Sequence, residues 1–167
     1  MEGVLETLKK DPTSRQGVMM TWDPSSDSLT NGIKRKNVPC NLGIVLNIID
    51  NKLHVHSIWR SVDMILGFPH DLAGNALLSY IWASYLGVEV GSYTHYIVNA
   101  HVYDIHFDVA NELISRKSEQ KKIDLRAGKD WYTKGSKGDE ELTNSIIKTL
   151  EGQYTPLDAI KGIKIVI

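Results

Sequence analysis

The stretch from Leu72 to Leu86 constrains the fold most. It is apolar almost all round and carries no charge. A helix of that kind has to be covered on most of its sides, so it predicts a long buried helix with a sheet and other helices packed about it. Gly87 predicts where it stops. The run Ala76–Leu86 is too short, and too often broken by polar residues, to span a bilayer.

The partners of that helix are legible as shorter patterns. Val4, Leu5 and Leu8 fall at helical spacing, and Asp11-Pro12 ends that helix. Gly17–Trp22 reads as a short strand, and Asp23–Asn37 as a loop that holds the basic run Lys34-Arg35-Lys36. Leu42–Ile49 and Leu53–Trp59 are strand-like, and Asp50-Asn51 between them predicts a hairpin turn. Thr94–Tyr103 predicts a further strand, Phe107–Arg116 a helix, Lys117–Glu140 a polar surface segment, and Ile160–Ile167 a last strand. There is no internal repeat and no linker. Strands and helices in mixed order predict an α+β fold, a mixed β-sheet packed with helices, in one domain over residues 1–167. A domain of 167 residues buries roughly 70% of the surface of its unfolded chain.

The net charge of −1 gives no global field toward nucleic acid or a membrane. Nothing near Met1 resembles a secretion signal, and one cysteine excludes an internal disulfide, so a cytoplasmic location is expected.

Four places could carry chemistry. A lone cysteine such as Cys40 is more often a small buried hydrophobe than a nucleophile, and Pro39 before it constrains the backbone. Arg60-Ser61 at a strand end could hold a phosphate by a fork of N–H donors and a hydroxyl; an ion pair of Arg60 with Asp63 explains the same residues more plainly. An arginine near a thiol also favours the thiolate. Asp71 stands just before the apolar helix, where aspartate commonly serves as N-cap. His101 and Tyr103 are two apart on a predicted strand, hence on one face, where they could hold a sugar hydroxyl. His54 and His56 also share a face, but no third ligand is evident, and no metal is expected.

Together these segments resemble the thymidylate synthase and deoxycytidylate hydroxymethylase family. Asp11-Pro12-Thr13-Ser14-Arg15 is similar to its nucleotide-phosphate loop, although Gln16 stands where the family usually has a second arginine. Pro39-Cys40 resembles its catalytic dipeptide. Arg60-Ser61-Val62-Asp63 followed by Leu66-Gly67-Phe68-Pro69 resembles its next motif, and Ala100-His101-Val102-Tyr103, with His106 beyond, its ribose-binding motif. The likeness extends from about Val4 to the last residue. The family has a further segment before this part, which supplies a catalytic glutamate, another phosphate-binding arginine and tryptophans near the folate. Three readings therefore stay open: a fragment, one half of a split enzyme, or a degenerate relative.

The resemblance implies a thymidylate synthase-like fold and folate-dependent one-carbon transfer to carbon 5 of a pyrimidine nucleoside monophosphate, with 5,10-methylenetetrahydrofolate as cosubstrate. Cys40 would be the nucleophile toward carbon 6. Arg60, Ser61 and a partner subunit's Arg15 would hold the phosphate, Asp63 would contact the pterin, and His101 and Tyr103 would hold the ribose. A homodimer is implied, with a second chain possible for the missing segment. Asp71 takes the place of the asparagine of thymidylate synthases and matches the aspartate of the cytidylate hydroxymethylases. An asparagine amide matches uracil's donor at nitrogen 3 and acceptor at oxygen 4, whereas a carboxyl that shares a proton matches cytosine. Asp71 thus favours a cytidylate 5-hydroxymethylase. Thymidylate synthase is the alternative, and a non-catalytic nucleotide-binding accessory protein is a third reading.

Overall fold

The computed structural model describes residues 1–27, 38–117 and 122–166. The basic run Lys34-Arg35-Lys36 lies outside them. A four-stranded sheet takes the order β1 (Val18–Met20), β2 (Asn41–Ile49), β3 (Lys52–Trp59), β5 (Glu89–Ile97). β1–β2 and β2–β3 are antiparallel, and β3–β5 is parallel. The parallel pair needs a crossover, and α3 (Gly67–Leu86) supplies it. A second, two-stranded parallel sheet joins β4 (Val62–Asp63) to β6 (Ala100–His101). The expected α+β class and mixed sheet are borne out.

The β2–β3 hairpin closes as its turn residues predict. Asp50 and Asn51 have φ of 50° and 59°, both left-handed, as a two-residue primed turn requires. Asparagine tolerates that region and a β-branched residue does not. Asn51→Val is expected to cost about 1–2 kcal/mol, read as a lower urea midpoint at unchanged slope.

α1 (Glu2–Lys10) buries Leu5 and Leu8 against the sheet and α3. Those two leucines, Ile44, Leu46, Leu53, Val55, Trp82 and Ala83 form the main core. Gly17 lets β1 lie close: a Cβ there would come 2.2 Å from the Leu46 carbonyl oxygen, which faces it across the Leu46 N–H to Gly17 O bond. The α3 face of the sheet also carries Ser57, Trp59, Tyr93 and His95. On the opposite face Val18, Met20, Ile58 and Tyr96 stay exposed.

Several expectations are corrected. α3 begins at Gly67, not Leu72, because Pro69 sits in its first turn, where its missing N–H is harmless. Asp71 therefore lies inside the helix and is not its N-cap, a place that Leu66 takes. The helix is also less buried than its composition implies. Ser79, Trp82 and Ala83 are buried, while Leu72, Ala73 and Gly74 are exposed, because the sheet covers one side only. Gly87 does end it, at φ 75° with its N–H on the Ala83 and Ser84 carbonyls. The strand expected over Thr94–Tyr103 is two: β5 starts at Glu89, and the chain leaves that ladder after Ile97 to pair again as β6. Residues 160–166 form no strand, since no described sheet edge takes them up. The polar segment after Lys117 includes a short helix, α5 (Trp131–Gly135), and a buried Leu125. α6 (Glu140–Glu151) follows; Asp139 caps it, accepting from the Leu142 N–H at 2.9 Å, and it buries Leu142 and Ile146 at i, i+4 spacing. α2 (Pro24–Asp27) is a single turn within the expected loop, and α4 (Phe107–Ser115) is the helix expected at 107–116. No helix among the described residues is long and apolar enough to cross a membrane.

Candidate active site

Cys40 is free and exposed, one residue before β2 begins. It is not the buried hydrophobe that a lone cysteine usually is. Arg60, one residue beyond the end of β3, holds it. The Arg60 Nε donates to the Pro39 carbonyl at 2.9 Å, and Nη2 donates to the Val38 carbonyl at 3.2 Å and to the Cys40 sulfur at 3.7 Å. The Arg60 backbone N–H donates to the Cys40 carbonyl at 2.9 Å. The guanidinium carbon lies 5.6 Å from the centre of the Trp22 ring, a cation–π contact that positions the fork. No ion pair joins Arg60 to Asp63 among the described residues; Asp63 instead accepts from the Ile65 N–H at 2.9 Å.

The small sheet gathers the next group. β4 and β6 place Asp63 opposite His101, and the Met64 N–H donates to the His101 carbonyl. Ser61 Oγ lies 3.4 Å from His101 Nδ1, and the His101 and Tyr103 rings meet edge to face at 5.0 Å. His101 and Tyr103 therefore do share a face, although Tyr103 lies just past the strand. Beyond them His106 is buried, its Nε2 bonded to the Lys164 carbonyl at 2.8 Å, so it ties down the C-terminal segment.

Asp63 and Asp71 both lie beside Gly67. A Cβ at Gly67 would lie 3.7 Å from Asp63 Cβ and 3.6 Å from Asp71 Oδ2, ordinary van der Waals contact, so both aspartates flank the start of α3. Burial pushes the Asp71 carboxyl above its ordinary range, and neighbouring His70 partly offsets this. A carboxyl in that setting keeps its proton more readily than an open one.

Arg15 stands apart. It is exposed on the loop between α1 and β1, and among the described residues its side chain makes no hydrogen bond or ion pair with the other seven residues. His54 is occupied by Ser92, its Nδ1 at 2.8 Å from Ser92 Oγ, and no group of three metal-ligating side chains occurs among the described residues.

Sequence reasoning missed a partly buried run of polar contacts that starts at Asn41, next to Cys40 in the chain. Thr21 Oγ1 lies 2.6 Å from the Asn41 main-chain oxygen and 2.8 Å from its side-chain oxygen, and its one proton serves one of them. Asn41 Nδ2 donates to Ser57 Oγ at 3.0 Å, and Trp59 Nε1 donates to the same oxygen. Tyr93 Oη lies 2.6 Å from His95 Nδ1. Burial raises the Tyr93 phenol; a hydrogen bond with Ser57 holds it down, and the Asp71 charge raises it again. Burial also pushes the His95 imidazole below its ordinary range. The signal was available in the i, i+2 spacing of Ser57 with Trp59 and of Tyr93 with His95, polar groups on a face whose other members are apolar.

Comparison with known proteins follows the same residues. A family model described as thymidylate synthase matches residues 1–145, so the similarity stops short of the C-terminal end. Over 100 residues the chain is 38% identical to a thymidylate synthase of Haloferax volcanii, covering 60% of this chain and 28% of that protein. Over 116 residues it is 34% identical to a thymidylate synthase of Corynebacterium aurimucosum, covering 70% of this chain and 41% of that protein. The matched stretch thus spans less than half the length of these curated relatives.

Proposed function

The chain belongs to the thymidylate synthase family, and from that premise we propose that it transfers a one-carbon unit to carbon 5 of a pyrimidine nucleoside monophosphate, with Cys40 as nucleophile. The observation that carries this reading is the Arg60 fork, which fixes an exposed thiol by its own sulfur and by the two carbonyls before it. A structural cysteine needs no such clamp. The Cys40 thiolate adds to carbon 6, and the electron pair that this displaces makes carbon 5 nucleophilic. 5,10-Methylenetetrahydrofolate supplies the one-carbon unit. Asp63 fits a pterin contact: one of its oxygens is held by the Ile65 N–H, and the other has no described partner and can accept from a ring N–H. Ser61, with Arg60, reaches for the phosphate, and His101 with Tyr103 for the ribose hydroxyl. The exposed thiol suits the reducing cytoplasm.

For the base, the names of the relatives favour a uracil nucleotide and thus a thymidylate synthase reaction. A specific observation favours the second reading, cytidylate hydroxymethylation: the residue one turn into α3 is Asp71, and burial favours its protonated form. Competition binding of deoxyuridylate against deoxycytidylate decides between them. Asp71→Asn is expected to move the preference toward the uracil nucleotide by roughly ten- to hundredfold, the cost of leaving one buried group unpaired. An unchanged ratio would show that Asp71 does not read the base.

The same proposal includes a homodimer. Val18, Met20, Ile58 and Tyr96 leave an apolar sheet face exposed, of the kind that marks association, and the Arg15 side chain makes no hydrogen bond or ion pair among the described residues. If Arg15 completes the partner's site, mixing Arg15→Ala with Cys40→Ala chains should restore part of the activity that each lacks alone. Stable mixed dimers without activity would count against a shared site.

A further inference from the structure

Arg60 commits most of its donors to its own chain. Its Nε hydrogen goes to the Pro39 carbonyl, and Nη2 serves the Val38 carbonyl and the Cys40 sulfur. Nη1 makes no hydrogen bond among the described residues and is the nitrogen left to meet a ligand. A guanidinium is planar, and its donors form a rigid fork. The clamp on residues 38–40 and the direction of Nη1 are therefore set together, by whatever fixes the plane of the guanidinium.

The Trp22 ring bears on that plane. The guanidinium carbon lies over it, 5.6 Å from its centre. Trp22 is half-buried, and the backbone that carries it is tied on both sides. The Thr21 and Trp22 N–H groups both donate to the Leu42 carbonyl, at 3.2 and 3.3 Å. On the other side the Asp23 N–H donates to the Asp27 carboxylate at 2.9 Å, and the Asp23 carboxylate accepts from the Ser25 N–H at 3.0 Å. Trp22 thus stands between the end of β1 and the tied turn of α2. Its contact with Arg60 joins this segment to the end of β3, two strands away in the sheet. Plain packing explains the contact as well, but it makes a different demand: any apolar side chain of sufficient size would then serve.

We propose that Trp22 is a positioning residue of the phosphate site: by holding the plane of the Arg60 guanidinium it keeps Nη2 on the Cys40 clamp and presents Nη1 to the nucleotide phosphate. The inference rests on the reading that Arg60 meets that phosphate. Trp22 acts through Arg60 and not on the ligand. An indole offers a cation the strongest ring face of any side chain, a phenyl ring a weaker one, and an alkyl group none. At a half-buried site such a contact changes an equilibrium by about two- to fivefold.

Binding of deoxyuridylate and of deoxyuridine, measured by calorimetry on the full chain, tests this. Trp22→Leu should weaken the nucleotide by about two- to fivefold and leave the nucleoside unchanged. Trp22→Phe, which keeps a ring face, should lose less than about twofold. In an Arg60→Ala background Trp22→Leu should have no further effect, because the cycle of the two changes isolates the contact between them. Equal losses for nucleotide and nucleoside, no loss, a loss that persists without Arg60, or a phenylalanine variant as weak as the leucine variant overturns the inference and leaves the function untouched. A wild type that binds neither ligand overturns the function and this inference with it. Should Trp22→Leu fail to fold, the wild-type nitrogen-15 spectrum decides: the Arg60 Nε hydrogen should be protected from exchange and displaced upfield by the indole ring current, and an unprotected, undisplaced resonance overturns the inference.

Discussion

Cys40→Ser is expected to abolish covalent capture of a 5-fluoropyrimidine nucleotide in the presence of methylenetetrahydrofolate, and to lower turnover on the order of 10⁴-fold or more, as removal of an enzyme's nucleophile does. The fluorine at carbon 5 cannot leave as a proton does, so the reaction halts with sulfur bonded to carbon 6. Mass spectrometry should find the adduct on the peptide that contains Cys40. Nucleotide binding should survive, because the clamp on residues 38–40 runs mainly through backbone carbonyls that serine leaves in place. An adduct that persists in Cys40→Ser would refute the assignment. A wild type that binds nucleotide but forms no adduct, with or without a partner chain, would place this protein with the accessory binders.

The second large effect belongs to Arg60. Its guanidinium holds Val38, Pro39 and Cys40, and in the proposed function it also meets the phosphate. Each charge-assisted hydrogen bond lost in Arg60→Ala should cost about 1.5–3 kcal/mol. Affinity for the nucleotide should therefore fall more than affinity for the nucleoside, and adduct formation should slow further as Cys40 loosens. Arg60→Lys should not rescue it. Lysine has one ammonium, which cannot reach two carbonyls and a sulfur in a fork or lie flat against Trp22. Equal losses for nucleotide and nucleoside would limit Arg60 to the clamp.

What the sequence revealed and what it hid follow from local and non-local causes. Asp50-Asn51 announced its turn because two adjacent residues with a tolerance for left-handed backbone are a local signal. The start of α3 was hidden because Gly67, Pro69 and His70 look like a loop, although proline in a first turn is harmless. Ile160–Ile167 looked like a strand because β-branched residues favour one, but that preference is realised only beside a partner edge. α6 went unread, although Asp139, Leu142 and Ile146 form a cap followed by an apolar i, i+4 pair. In the site, Cys40, Arg60, Ser61, Asp63, His101 and Tyr103 were legible because motifs in the right order resembled one family. The polar chain from Asn41 to His95 was not, because its members come from three strands and each looks ordinary alone.

The parallel pairing of β3 with β5 across α3 also sets an order of assembly. The β2–β3 hairpin has a local turn and contacts close in sequence, so it is expected to form in microseconds. β5 can join only after the whole of α3 has closed the loop between residues 59 and 89, which is slower. Until then β3 offers an unpaired edge that bears Leu53, Val55 and Ile58, a template for the wrong strand. The nascent chain is therefore at greatest risk of aggregation in the interval between its hairpin and its crossover helix, and slow synthesis through residues 60–88 would lengthen that interval.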